Sequence, residues 1–348
     1  MLDLSKLFSP AEIAANWTEI ASNRIPYLGE GLFPAKKKTG LDLRWIKGSK
    51  GAPISLMPSA FDAKATFRDR IGVSAIETEM PFFREGFKIK ERDRQEILRA
   101  TESNDPYVEA VLARMFDDAN ELIEAANVVA ERERMGLLFH GDIAFKANGV
   151  DYSYNYGLQN VTILSGTSLW TAPTTADPIK DIKTVADTIR SNTGAEIAVA
   201  IMNSYTFGLL AATDAIKNRF LTTTGRSFSY LTDAEVKAVV ADTLGVQIVI
   251  YDKVYRDEDK VAHKFVPDGR VSLIPAGALG NTWYGTTPEE ADLYGNPAAS
   301  VAIVNTGVAI TRIVDTHPVN LNTFASEIVL PSFERIDEVG ILVVVSEE

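Results

Sequence analysis

His140, His263 and His317 are the only imidazoles in the chain, and imidazole is the side chain best suited to act as acid, base or metal ligand near neutrality. They stand far apart in sequence, and none has a second histidine or a carboxylate at metal-ligand spacing. Each therefore reads as a structural or surface residue. His140 falls at the end of a long helical pattern, where a cation would suit the helix dipole. Asp252, Asp257 and Asp259 could suggest a calcium loop, but the glycine and closing glutamate that such a loop needs are out of register, and a hairpin turn fits better. The stretch Gly277–Gly285 is rich in glycine. It lacks the Gly-Lys-Ser/Thr ending that cradles phosphate, and its spacing does not fit a dinucleotide fingerprint, so it reads as an ordered surface loop with two aromatics for packing. There is no Gly-x-Ser-x-Gly elbow and no Ser-x-x-Lys in a suitable context. Carboxylates are plentiful, with nothing to single out a catalytic pair. The absence of cysteine excludes disulfides, thiol catalysis, zinc knuckles and iron–sulfur ligation together. The sequence offers no catalytic, cofactor or metal site, and a structural protein is expected rather than an enzyme.

Composition bounds the rest. The 348 residues suffice for two or three packed units. A formal net charge of −12 argues against a protein that grips nucleic acid, because phosphate binding needs a concentrated excess of Lys and Arg; an acidic protein can still enclose DNA without holding it. No basic region followed by an apolar run is seen at the N-terminus, and no stretch reaches the ~18 apolar residues of a membrane helix, so no membrane association is expected.

The elements follow from periodicity. Ser9-Pro10-Ala11-Glu12 opens a helix: Ser9 can cap, Pro10 suits the first helical position and Glu12 completes a capping box, with Ile13, Trp17 and Ile20 next on one face. Pro26, Gly29, Gly31 and Pro34 follow, so the segment reads as an arm that packs on something other than its own local core. Residues 36 to 93 read as a long two-stranded excursion. It contains Lys36-Lys37-Lys38, an alternating stretch Leu41–Ile46 with Trp45, a turn at Gly48–Gly51, and extended stretches at Ile54–Leu56 and Lys64–Ile71. From Arg68 to Glu96 both charge signs are densely mixed, among them Arg68, Arg70, Glu77, Glu79, Arg84 and Glu85. These charges fit either a solvated surface or a strip of salt bridges to neighbouring copies. With Trp17, Lys36, Lys37, Lys38 and Trp45, they are the candidate inter-subunit contacts.

The strongest pattern runs from Asp105, a cap, and Pro106 to Phe139. Val108, Leu112, Met115, Ala119, Leu122, Ala126 and Val129 recur at steps of four and three, on one stripe of a helix. About 35 residues at ~1.5 Å each make a rod of ~50 Å. Val111, Phe116, Ile123 and Val128 widen the apolar face beyond a coiled-coil seam, which favours a helix laid across a sheet. Downstream, strands are expected at Val150–Tyr156, Ile197–Met202, Val246–Tyr251, Lys264–Val266, Val271–Pro275 and Val308–Val314. Helices are expected from Asp177-Pro178 to Gly194, over Ser204–Phe220, and from Leu231 to Gly245. Arg256–Asp259 makes a hairpin turn, and Val339–Val345 is apolar enough for a central strand.

Several segments resemble the lambda-type phage major capsid proteins, capsid family E. The most specific is 244–295. It holds Leu-Gly-Val-Gln-Ile-Val-Ile-Tyr-Asp at 244–252, the acidic hairpin at 256–259, Phe265-Val266-Pro267-Asp268-Gly269, Leu279-Gly280-Asn281-Thr282, Tyr284-Gly285 and the acidic Glu289-Glu290-Ala291-Asp292. Trp170-Thr171 with the Asp177-Pro178 helix start, Met202-Asn203 leading to Phe207 and Ile216–Phe220, and Phe333-Glu334 through Val345 are similar as well. The resemblance implies an α+β, Hong Kong 97-type phage capsid fold. In its terms residues 1–35 are an N-terminal arm and 36–85 the extended E-loop hairpin. Residues 86–221 are the peripheral domain with the long spine helix at 105–139, 222–315 the axial domain, and 316–348 a return to the peripheral domain.

The implied function is a major capsid protein that self-assembles into the icosahedral shell enclosing the phage genome, found in the virion and assembled in the host cytoplasm. Its implied partners are copies of itself as hexamers and pentamers, a separate scaffolding protein, a portal, a decoration protein of the kind lambda-like relatives bind, and enclosed double-stranded DNA without specific binding. Some relatives crosslink through lysine and asparagine; no such pair is assigned here. An encapsulin shell is the nearest alternative, followed by a soluble oligomeric α/β enzyme and a coiled-coil adaptor.

Overall fold

The computed structural model describes residues 8–47, 74–93, 95, 107–147, 149–225, 231–257, 260–293, 299–315 and 317–346. The stretches expected at 54–56 and 64–71, with Arg68 and Arg70, lie outside the described residues, as do Asp105 and Pro106. The chain forms two compact units. The first comprises Met1–Arg44, Glu77–Glu133 and Asn281–Ser332; the second comprises Trp45–Ile76, Arg134–Gly280 and Phe333–Glu348. The long helix is Tyr107–Phe139, with its residues 107–133 in the first unit and 134–139 in the second.

The first unit is built on a six-stranded sheet in the order Ala35–Lys37, Asn281–Tyr284, Leu321–Ser332, Val308–Val314, Ala299–Val304, with Phe82–Ile89 also paired to Leu321–Ser332. The strand Leu321–Ser332 organises it. Leu321–Ile328 runs antiparallel to Phe82–Ile89, and Val329–Ser332 runs antiparallel to Asn281–Tyr284. Met115, Ala119, Ile123 and Ala126 of the long helix pack in one core with Ile89, Val304, Val308, Ile310, Leu321 and Ala325 of the strands. This is the helix on a sheet that the wide apolar stripe predicts.

The second unit has a five-stranded sheet in the order Val161–Ile163, Gly340–Val343, Arg270–Pro275, Ile197–Met202, Gln247–Ile250. The closing strand, expected to be central, lies inside this sheet. Among the described residues four further helices belong to the unit, and two of them begin and end where local chemistry dictates. Pro178–Thr193 is capped by Asp177, whose side chain accepts from the Lys180 N–H at 3.1 Å, and ends on Gly194 at φ 76°. Asp233–Leu244 has a full capping box between Thr232 and Glu235 and ends on Gly245 at φ 72°. Ile182, Val185 and Ile189 of the first helix and Val236 and Val240 of the other pack with Ala200, Val271, Leu273 and Leu342 of the sheet. Burying each such side chain stabilises the fold by ~1.5–3 kcal/mol.

Three expectations are corrected. The helix expected over Ser204–Phe220 is two helices, Ser204–Ala212 and Asp214–Thr224. Thr213 between them is extended at ψ 143°, and the freed Asp214 N–H donates to the Pro173 carbonyl. The glycine-rich loop is partly a strand: Asn281–Tyr284 joins the first sheet, with Thr282 buried. The second hairpin strand is Ala262–Lys264 rather than Lys264–Val266. The two units also interleave in sequence. Residues 134–221, 222–280 and 333–348 share the second unit, because the strands at 197–202, 270–275 and 340–343 are laddered together.

Gly269 sits at φ 74°, and a Cβ there would collide with the Val345 side chain. Gly269→Ala is expected to destabilise the subunit by about 2–4 kcal/mol in urea unfolding, combining left-handed strain with overpacking. Adding Val345→Ala should recover the steric part in a double-mutant cycle. Asp181, which accepts from the Trp170 indole N–H at 3.0 Å, has its pKa raised above 3.8, chiefly by burial. A raised folded pKa favours the protonated fold, so its contribution to stability is present below the ordinary carboxylate range and lost as pH rises through the raised value. Asp181→Asn should therefore gain stability over the native chain between acid and neutral pH, read as the change in urea midpoint at the two pH values.

Candidate assembly surfaces

The N-terminal segment is where a shell protein's extensions are expected, and its geometry starts at the cap. Ser9 accepts from the Glu12 N–H at 3.2 Å and starts the helix Pro10–Ala21. Ile13 and Trp17 are fully or nearly buried against Met115, Ala119, Val304 and Val308, while Ile20, expected on the same face, is 45% exposed. The Trp17 indole N–H donates to Asn305 Oδ1 at 3.1 Å, and Arg312 donates to the Phe8 carbonyl at 2.6 Å. Arg24 then bridges Glu30 at 2.6 Å and Glu124 at 3.1 Å. The Tyr27 hydroxyl donates to Glu124; burial first, and that carboxylate second, push its pKa well above the ordinary tyrosine range. The Gly29 N–H donates to buried Glu131 at 3.1 Å. Residues 8–33 are thus fastened to their own unit, and Trp17 is covered within the subunit instead of awaiting a neighbour.

The next residues extend the sheet. Ala35–Lys37 lies parallel to Asn281–Tyr284, helped by Thr282, whose N–H and hydroxyl donate to Pro34 and Phe33 carbonyls at 3.0 and 2.9 Å. Lys36 stands over the Trp283 ring at 5.4 Å, Lys37 pairs with Glu290 at 2.5 Å, and Lys38 donates to the Asp42 carbonyl. Asp42–Lys47 and Ser74–Glu79 pair as a two-stranded sheet, the described base of the expected hairpin, with Arg44 Nε donating to Glu77 at 2.7 Å. Arg84 pairs with Glu289 and lies over Phe82 at 4.8 Å; Glu289, nearly buried, also accepts from Ser326 at 2.9 Å. Glu79 and Glu85 are exposed. In the second unit Trp45 is buried and stacks on Tyr156 at 5.2 Å.

The described candidates differ in their surroundings within the chain. Trp17 and Trp45 are internal, and Lys36, Lys37, Lys38, Glu77 and Arg84 already have partners in the chain. An exposed pair such as Arg44–Glu77 contributes ~0–1 kcal/mol, but losing the partner of nearly buried Glu289 costs far more. Exposed apolar residues at strand ends were missed by charge-based reasoning: Ile163 is 63% and Val254 60% exposed. The short β-branched run Val161-Thr162-Ile163 was the signal for Ile163 in the sequence. Of the histidines, His140 accepts at Nδ1 from Arg270 at 3.1 Å. Arg270, not His140, donates to the helix-end carbonyl of Phe139, at 2.7 Å. His263 lies 2.7 Å from Asp257 and stacks on Tyr255. Among the described residues no group of three or more acidic or histidine side chains could hold a metal, and no helix is long and apolar enough to cross a membrane.

The fold is shared along nearly its whole length with three solved structures. A prophage protein of E. coli CFT073, provisionally assigned as a capsid protein, is 14% identical with a TM-score of 0.57, covering 97% of this chain and 99% of its own. A phage-related protein from Bordetella bronchiseptica RB50 is 14% identical at 0.56, covering 94% and 96%. The mature capsid of bacteriophage PhiM1 gives 10% and 0.51, covering 93% and 89%. No curated protein matches the chain. The architecture is therefore that of a Hong Kong 97-type phage capsid protein. Residues 9–343 match the phage major capsid protein E family, and the chain belongs to that family as a shell-forming head protein of the virion.

Because Trp17 is anchored within its own subunit, Trp17→Ala should destabilise the unassembled chain by about 3–5 kcal/mol. Thermal and urea unfolding below assembly concentrations measure this directly. A side chain that served only a neighbour would leave those values unchanged.

Proposed function

We propose that this chain tiles an icosahedral head as hexamers and pentamers of itself, with no catalytic step of its own. The observation that carries the reading is the family match over residues 9–343 together with a capsid fold of nearly full coverage. In this reading the axial domain, expected at 222–315, is instead taken as the second unit, which meets its copies around the five- and sixfold axes. The peripheral domain, expected at 86–221 and 316–348, is instead taken as the first unit with the N-terminal segment folded on it, and the strands Asp42–Lys47 and Ser74–Glu79 of the hairpin base are divided between the two units. A scaffolding protein and a portal direct closure in the host cytoplasm, a decoration protein binds the finished lattice, and the acidic chain encloses double-stranded DNA without gripping it, in keeping with its net charge of −12.

Electron microscopy of the purified chain, alone and co-expressed with the assembly factors of its phage, tests the reading. Hollow shells, tubes or sheets of capsomers are the expected products. A chain that stayed a monomer under every one of these conditions would overturn it.

A further inference from the structure

Among the described residues, the sheet of the second unit ends in two strands that each have one neighbour. At one end, Val161–Ile163 has a single neighbour, Gly340–Val343, in parallel register. The Ile341 N–H donates to the Asn160 carbonyl and the Leu164 N–H to the Val343 carbonyl. That phase turns Thr162 toward the neighbour and aims the backbone of Val161 and Ile163 outward. The Val161 N–H is taken by the Gln159 carbonyl at 3.0 Å; no bond from the Ile163 N–H is seen among the described residues. At the other end, Gln247–Ile250 has a single neighbour, Ile197–Met202, also parallel. The bond from the Tyr251 N–H to the Met202 carbonyl aims the backbone of Ile248 and Ile250 outward in the same way.

The edges match in direction and in face. Val161–Ile163 runs parallel to Gly340–Val343, which is antiparallel to Arg270–Pro275, which is antiparallel to Ile197–Met202, which is parallel to Gln247–Ile250. The two end strands therefore point the same way. The registers align Val161, Ile341, Ser272, Ile201 and Val249 in one row across the sheet, so Val161, Ile163, Gln247 and Val249 share a face. Ile341 and Ile201 in that row are 1% exposed, whereas Val161 and Ile163 at its margin are 42% and 63% exposed. An open edge flanked by proud aliphatic side chains is a template for another strand, and a monomer that kept it would be prone to stick.

We propose that the Val161–Ile163 edge of one copy pairs in parallel with the Gln247–Ile250 edge of the next, seating Ile163 beside Val249 and continuing the sheet from subunit to subunit. The occupant is a second copy of this chain because both halves of the contact are on the chain, complementary in direction, face and hydrogen-bond phase. A head-to-tail contact of this kind closes into a ring when its rotation closes. The inference rests on the shell-building reading and assigns the surface that joins neighbours around an axis.

The chain has no cysteine, so introduced ones report cleanly. Two variants are compared with the native chain under conditions in which the native chain forms shells. Ile163→Lys changes a residue that is mostly exposed, and it should melt within a degree or two of the native protein while shell yield falls at least tenfold. The double variant Ile163→Cys with Val249→Cys, treated with a short bis-maleimide after assembly, should give a ladder of covalent oligomers ending at five and six, whereas either cysteine alone should stop at dimers. Native-level shell yield from a folded Ile163→Lys chain, or assembled particles without the ladder, overturns the edge pairing and leaves the capsid reading standing. Failure of the native chain itself to assemble overturns both.

Discussion

The strand Leu321–Ser332 must be paired and covered along its whole length, and the first unit is arranged around that need. Nearly every residue in it is buried, including Asn322, Thr323, Ser326 and Glu327. Its backbone groups cannot be left to water, so strands from distant parts of the chain are drawn to it, at 82–89, 281–284 and 308–314. Its buried side chains make further demands. Ser326 donates to Glu289, and Glu289 in turn receives Arg84, so one buried hydroxyl helps fix where the acidic segment and the 82–89 strand can lie. The long helix follows, because the covered face of that sheet is where Met115, Ala119 and Ile123 lose water.

Energetic scale decides what the N-terminal segment does. Burying Phe8, Ile13 and Trp17 yields ~1.5–3 kcal/mol or more for each, while exposed ion pairs yield at most ~1. The helix Pro10–Ala21 therefore settles where its apolar stripe finds cover, on its own unit, and Arg24, Tyr27 and Gly29 add polar fastenings to Glu124 and Glu131. Of the charges expected to meet neighbours, Lys37, Glu77 and Arg84 are paired within the chain.

What was legible in the sequence was local. Asp177 with Pro178, Thr232 with Glu235, and the glycines at 194 and 245 fix helix ends through groups a few residues apart, and those ends fall where expected. The stripe on 107–139 was legible because one helix face repeats itself. Leu321–Ser332 was not, because a strand covered on both sides loses its alternation, and its Asn, Thr, Ser and Glu disguise it as a loop. The break at Thr213 was hidden for a different reason: the Asp214 N–H is satisfied by Pro173, far away in sequence, so no nearby residue announces it. The cover over Trp17 and Trp45 within the chain was not legible, because an aromatic in an arm or hairpin reads the same whether its cover comes from the same chain or another.

Identities of 10–14% with the fold intact over most of each chain show which features the architecture needs. Burial pattern, strand pairing and caps can be met by many sequences, so they tolerate wholesale replacement of side chains. Contacts between copies are less forgiving, because each shell must match its own surfaces while its relatives match theirs. A closed assembly of identical chains can only use what one chain leaves unsatisfied. Here several of the candidate charges in the arm and hairpin are answered internally, whereas among the described residues Val161–Ile163 and Gln247–Ile250 each pair with one strand, and Val161 and Ile163 are exposed. Hydrogen bonds along a strand edge depend little on side-chain identity, so they can persist through such divergence, while the side chains beside them keep each shell to its own subunits.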